Sequence, residues 1–222
     1  QQILNDLGVT KAKTVDDVCR VDDEREDPYQ WFAVGLANTG TKLVDVLEGK
    51  SSAVKAKQDA QIGSTSTAQI ALAKGLATGL IHIGDVEEGY SLVDPYLNPQ
   101  TDEGDSNKVE MKEHTIIGGI VATALCGAGV TNDFNAGAAL LSDYVTDTEQ
   151  HSPAIRAATC LSLGLCYLNT HNSELRDLLL PLLMGDDLDD QGKGRCALAL
   201  GLIFLSSNDE TIAQLLAATL DE

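Results

Sequence analysis

The sequence predicts an all-α chain, an α-solenoid of about five helical hairpins. Three observations carry that expectation. The chain repeats itself at intervals near 40 residues, the interval of helical-hairpin repeats. Small residues recur at matched positions of the repeats. Apolar residues make up 43% of the chain but aromatics only 4%, so the core must be built from Ala, Leu, Ile and Val, which suits closely packed helices.

Each repeat has an Ala/Gly-rich apolar stretch, a small or polar break, and a Leu-rich stretch. The first runs from Trp31 to Gly40 and then Leu43 to Leu47. The second is Ala73 to Gly84, then Tyr90 to Leu97; the third is Ile117 to Gly129, then Ala138 to Val145. The fourth is Ala157 to Leu168, then Leu175 to Leu183, and the fifth is Cys196 to Leu205, then Ile212 to Leu220. Gly35, Gly79, Ala124, Gly164 and Gly201 are equivalent, at separations of 44, 45, 40 and 37.

The first stretch of each repeat is apolar nearly all round and predicts a helix sandwiched between neighbours. Glycine inside a helix costs about 1 kcal/mol relative to alanine, so its recurrence at one register predicts a close approach of backbones. The second stretch is amphipathic. In the fourth repeat Leu175, Leu178, Leu179 and Leu182 form an i, i+3, i+4, i+7 stripe, with Glu174, Arg176 and Asp177 off it. Pro181 lies inside this run, where it removes a hydrogen bond and can kink the helix. Residues that favour strands adjoin, as in Tyr144 and Val145, but sustained alternation is absent and a β reading is discounted.

Residues 1–28 form a charged N-terminal segment that reads as an upstream helix and linker, and 29–222 as the solenoid. Two polar segments, 49–67 and 100–111, interrupt the pattern and read as flexible loops. The chain begins with Gln1 and Gln2 and ends at Glu222 straight after an apolar run, which predicts a piece of a longer protein.

The net charge is −19, from 34 acidic and 15 basic residues. Phosphate backbones need clustered Lys and Arg, so nucleic acid is not an expected partner, whereas a basic protein surface is. Five cysteines occur without a Cys-x-x-Cys pair, four of them in apolar stretches, which predicts reduced core thiols in a cytosolic or nuclear setting. No apolar run approaches the roughly 18 residues of a membrane span. His82, His114, His151 and His171 have no Cys or second His at ligand spacing, and His82 reads as a core histidine. Gly118, Gly119, Gly127 and Gly129 lack the following Lys-Ser/Thr of a phosphate loop. The acids between Gly185 and Asp190 lack EF-hand spacing and read as a solvated turn between repeats. No nucleophile–base pair emerges, so no enzyme, metal or cofactor is expected.

The Ala/Gly-rich first helix followed by a Leu-rich second resembles the proteasome/cyclosome (PC) repeat. The strings that carry the resemblance are Ala138-Ala-Leu-Leu-Ser-Asp-Tyr-Val145 and Leu178-Leu-Leu-Pro-Leu-Leu-Met-Gly-Asp186, with Gly89-Tyr-Ser-Leu-Val-Asp-Pro-Tyr-Leu97 similar but less closely. The resemblance runs from about residue 28 to the end. It implies part of an α-toroid that serves as a non-catalytic scaffold of the 26S proteasome regulatory particle, in cytoplasm and nucleus, beside the ATPase base subunits. It implies that outer helices receive ubiquitin, the ubiquitin-like domains of shuttle factors and a deubiquitinase, with acids meeting the basic rim of those folds. A sister proteasome scaffold and the large subunit of the anaphase-promoting complex are the alternatives within the family; the string from Ser142 to Val145 weighs against both.

The candidates for such contacts are Asp85, Glu87, Glu88 and Asp94 in the second repeat and Asp133, Asp143, Asp147 and Glu149 in the third. In a solenoid their rows should stack into an acidic stripe. Tyr90, Leu92, Tyr144 and Val145 could add apolar contact, and Asp143 stands inside the best-matching string. The same acids also fit a face that is merely solvated.

Overall fold

The computed structural model describes residues 28–43, 47, 64–99, 106–130 and 135–218. Nine helices and no strand occur among the described residues. They are α1 (Pro28–Ala37), α2 (Ser64–Ile81), α3 (Val86–Leu97), α4 (Ser106–Gly127), α5 (Ala136–Thr146), α6 (Pro153–Cys166), α7 (Ser173–Met184), α8 (Asp190–Ile203) and α9 (Glu210–Ala218). The chain divides into two compact units, one ending at Cys126 and the other beginning at Gly127. The expected N-terminal segment, apart from Pro28, and the second stretch of the first repeat, apart from Leu43 and Leu47, lie outside the described residues.

In the first unit α1 packs on α2 and α2 on α3; in the second, α6 packs on α5 and α8, and α8 on α7 and α9. The small residues explain how closely the first helices lie. A methyl group added to Gly35 would stand 2.7 Å from the Ala77 Cα, one on Gly79 2.5 Å from the Ala122 Cα, and one on Gly164 2.6 Å from the Ala199 Cα. In all three cases the facing alanine lies two residues before the register residue of the following repeat. The predicted register therefore carries the packing of one repeat on the next. Polar residues enter this layer because their own helix satisfies them: the hydroxyls of Thr78, Thr123 and Thr159 donate to the carbonyls of Lys74, Gly119 and Ile155.

The break after each first helix is one conserved geometry in five sequences. Five residues beyond the register residue, Gly40, Gly84, Gly129, Asn169 and Ser206 all have positive φ, between 59° and 74°. The next residue's N–H closes the turn on a carbonyl three back, from Thr41 to Asn38, Asp85 to His82, Val130 to Gly127, Thr170 to Tyr167 and Ser207 to Phe204. Such turns also dock on the following repeat. Gly40 N–H donates to the Leu80 carbonyl (3.0 Å) and Lys42 N–H to that of Ile81 (3.1 Å). Gly84 N–H donates to Leu125 (3.1 Å), Asn169 to Leu202 (2.9 Å) and His171 to Ile203 (3.0 Å). The last carbonyls of a helix lack partners within it, and the preceding repeat's turn supplies them.

Two expectations need correction. The polar segments 49–67 and 100–111 are not loop throughout, because α2 starts at Ser64 and α4 at Ser106. Lys, Met and Glu between Ser106 and His114 are good helix formers, and a helix that runs into solvent needs no apolar face; Val109 is 65% exposed. The first helices are also not covered all round. Phe32, Leu36, Leu165, Leu168, Leu198 and Leu205 are exposed and recur at shared register positions, because a helix between two neighbours still has a third side. Pro181 lies inside its helix as expected, exposed in the last turn of α7, as Pro95 is in α3, where the lost hydrogen bond falls on the solvent side. The leucine stripe of α7 is buried at Leu175, Leu179 and Leu182, and Leu183 joins it.

Candidate functional site

The acids of the second repeat lie on α3, a short amphipathic helix whose Gly89, Val93 and Leu97 are buried. Glu87 and Glu88 stand exposed in its first turn, where a carboxylate also complements the helix dipole. Asp94 is exposed one turn before the end and accepts a hydrogen bond from the Asn98 amide (3.0 Å).

Asp85 differs from its neighbours. It is buried, and it caps α3 by accepting from the Glu88 N–H (3.5 Å). Its Oδ2 is 3.3 Å from the Lys42 ammonium, which belongs to the turn of the preceding repeat, and 3.6 Å from His82 Nδ1. Burial pushes its carboxyl up, but Lys42, the Glu88 amide and His82 together outweigh burial and hold it below its ordinary value. This carboxylate is occupied by the fold.

In the third repeat Asp133 lies outside the described residues. Asp143 is exposed on α5, whose buried face is Gly137, Leu141 and Val145. Asp147, at the end of α5, accepts from the N–H groups of Glu149 (3.0 Å) and Gln150 (2.9 Å) and so shapes the turn that follows. Glu149 is exposed. Tyr144 stacks on His151 with ring centroids 4.6 Å apart, which ties the helix end to that turn. Val145 is fully buried and offers no outward contact, because it shares the inward face with Leu141; Tyr90, Leu92 and Tyr144 are half-buried.

Residues outside the candidate set hold α5. The Tyr167 hydroxyl accepts from the Ala138 N–H (2.9 Å), standing in for a side-chain cap that Asn135 does not supply. At the other end the buried Arg156 donates from Nε to the Val145 carbonyl (3.0 Å) and from a terminal nitrogen to that of Asp187 (3.1 Å). Arg156 thus joins the end of α5 to the turn before α8. That turn is not purely solvated: Leu188 is buried, and Asp189 caps α8 through the Gly192 N–H (2.8 Å). Lys42, Arg156 and Tyr167 carry no sequence signal of these roles; the one legible hint is that Arg156 stands in an otherwise apolar helix. Among the described residues no group of three or more His, Cys, Asp or Glu could hold a metal ion, and no helix is long and apolar enough to cross a membrane.

A family model described as the proteasome/cyclosome repeat matches residues 158–190, which takes in most of α6, the whole of α7 and the turn leading to α8. The chain is 25% identical over 172 residues, 78% of its length, to "26S proteasome non-ATPase regulatory subunit 2" of Dictyostelium discoideum. It is also 25% identical, over 97% of its length, to "26S proteasome regulatory subunit rpn-1" of Neurospora crassa. It spans 18% and 23% of these two curated relatives.

Proposed function

The chain carries a proteasome/cyclosome repeat and is a relative of 26S proteasome regulatory subunits over most of its length, and from this premise we propose that it is a non-catalytic scaffold of the regulatory particle whose second helices receive ubiquitin and ubiquitin-like domains. The observation that carries the receptor part is the division of labour among the acids. Asp85 and Asp147 are bound into the fold, whereas Glu87, Glu88, Asp94 and Asp143 are turned to solvent on helices whose other face is buried, and Glu149 is exposed in the turn after α5. Exposed carboxylates on rigid helices suit a basic partner surface, and such contacts give weak, salt-sensitive association. The scaffold part is supported by backbone docking of repeat on repeat, a way of building a long rigid surface that needs no catalytic group. Its setting is then the cytoplasm and nucleus, with the ATPase base subunits and a deubiquitinase as further partners.

Titration of the 15N-labelled chain with ubiquitin tests the receptor part. Shifts in α3 and α5 that fade with added salt are expected. An absence of shifts there at millimolar ubiquitin would refute the receptor part and leave the scaffold part standing.

A further inference from the structure

Lys42 sits seven residues beyond the register residue of its repeat, with a positive φ of 57°. That geometry is not demanded by its own helix. It turns the Lys42 N–H toward the Ile81 carbonyl at the end of α2 and brings its ammonium 3.3 Å from Asp85 Oδ2. Asp85 in turn is the first point of α3: its side chain accepts from Glu88 and its carbonyl from Gly89 N–H (3.2 Å). A surface lysine of one repeat thus ends on the buried cap of the next repeat's outer helix. The equivalent residue of the fourth repeat behaves alike. His171, with φ of 55°, donates its backbone N–H to Ile203, and its ring Nε2 lies 3.0 Å from the Leu205 carbonyl. A side chain at this register position reaching across to the following repeat is therefore found in both units.

We infer that Lys42 is a positioning residue for the acidic first turn of α3: through Asp85 it fixes, from the preceding repeat, the helix start that presents Glu87 and Glu88. The inference rests on the reading of α3 as a receptor helix. It has a consequence that opposes simple electrostatics. Removing a cation from an acidic receptor should strengthen binding of a basic partner. If Lys42 acts by positioning, removing it weakens binding instead.

The test uses the full chain and ubiquitin as the probe. Lys42→Met is expected to speed amide exchange at Glu88 and Gly89 about fivefold, the loss typical of an undone helix cap. It is expected to weaken ubiquitin binding about twofold or more, within the range of a surface charge contact, with recovery in Lys42→Arg. The double variant Lys42→Met/Asp85→Asn keeps the net charge and a capping side chain but lacks the ion pair, and it is expected to bind as weakly as Lys42→Met. Unchanged exchange at Glu88 and Gly89, or stronger ubiquitin binding by Lys42→Met, overturns the positioning role. Glu87→Gln/Glu88→Gln separates the two ideas. If it leaves ubiquitin binding intact while Lys42→Met still loosens the amides, the receptor reading of α3 fails, and Lys42 is reduced to a clasp between repeats.

Discussion

Gly164 faces Ala199 so closely that a methyl group on the glycine would stand 2.6 Å from the alanine Cα. The obstacle is backbone, which cannot rotate aside. Gly164→Ala should therefore lower stability by about 1–3 kcal/mol through overpacking, although alanine is the better helix former. Gly194, on exposed helix surface with nothing within 4 Å, gives the opposite sign. Gly194→Ala should stabilise by up to about 1 kcal/mol. Urea unfolding of the two variants reads both.

Arg156 is buried and serves two carbonyls from different segments. Arg156→Met retains much of the apolar bulk and leaves the carbonyls of Val145 and Asp187 without it. A cost of about 1–3 kcal/mol is expected, chiefly from the Val145 carbonyl, since the exposed Asp187 can turn to water. Faster amide exchange should appear first at the end of α5 and in the turn before α8, which distinguishes the loss of a tie from general loosening.

The Asp85 carboxyl is held below its ordinary value in the folded chain. The unfolded chain then takes up a proton first as pH falls. Stability from this group is present above the unfolded carboxyl's range, near pH 4, and is lost as pH falls through the folded value. Asp85→Asn should be less stable than the parent at neutral pH and should show a shallower fall in acid. Thermal melts in steps from pH 6 to pH 3 measure the difference; parallel curves would remove Asp85 from the acid response.

Exposed acids should contribute in small, separate amounts. Neutralising Asp143 or Glu149 is expected to weaken ubiquitin binding by about 1.4- to 5-fold each, the span of an exposed charge contact. Raising salt should shrink these differences. Asp147→Asn should instead disturb the turn at Glu149 and Gln150 through loss of a charged acceptor, and its effect should survive high salt.

Cys126, Cys160, Cys166 and Cys196 are buried and stand outside any disulfide. The neighbouring Cys160 and burial raise the Cys196 thiol above its ordinary range, and its Sγ donates to the Leu179 carbonyl (3.3 Å). A thiol held protonated and out of water is a poor nucleophile. Burial alone keeps all four from the reagent, so they should resist alkylation in the folded chain and react together on unfolding, as mass mapping of the alkylated peptides would record.

The features legible in advance were those that repeat. Glycine is costly in a helix interior, so small residues recurring at one register pointed to close packing; Gly35, Gly79 and Gly164 do meet facing backbone, whereas a methyl on Gly201 would meet only Leu216 Cδ1 at 3.7 Å. The amphipathic second helices were legible from leucine spacing. What stayed hidden depends on neighbours distant in sequence. Nothing local tells that Asp85 turns inward to Lys42 while Glu87, two residues on, turns outward. Val145 stands two residues after the exposed Asp143 yet lies on the inward face. The starts of α2 and α4 were missed because hydrophobic patterning detects the buried side of a helix and these starts carry little of it.

Where the left-handed turn docks on the following repeat, at Gly40, Gly84 and Asn169, main-chain N–H groups make the joint. Glycine, asparagine and serine all occupy its first positive-φ site, and lysine, histidine and asparagine the second where it is seen. The joint is specified by where N–H groups point, not by which side chains flank it. Such a joint is nearly blind to substitution and intolerant of a single inserted or deleted residue. A chain assembled on such joints can change most of its side chains and keep its packing, while insertions are tolerated only away from the turns.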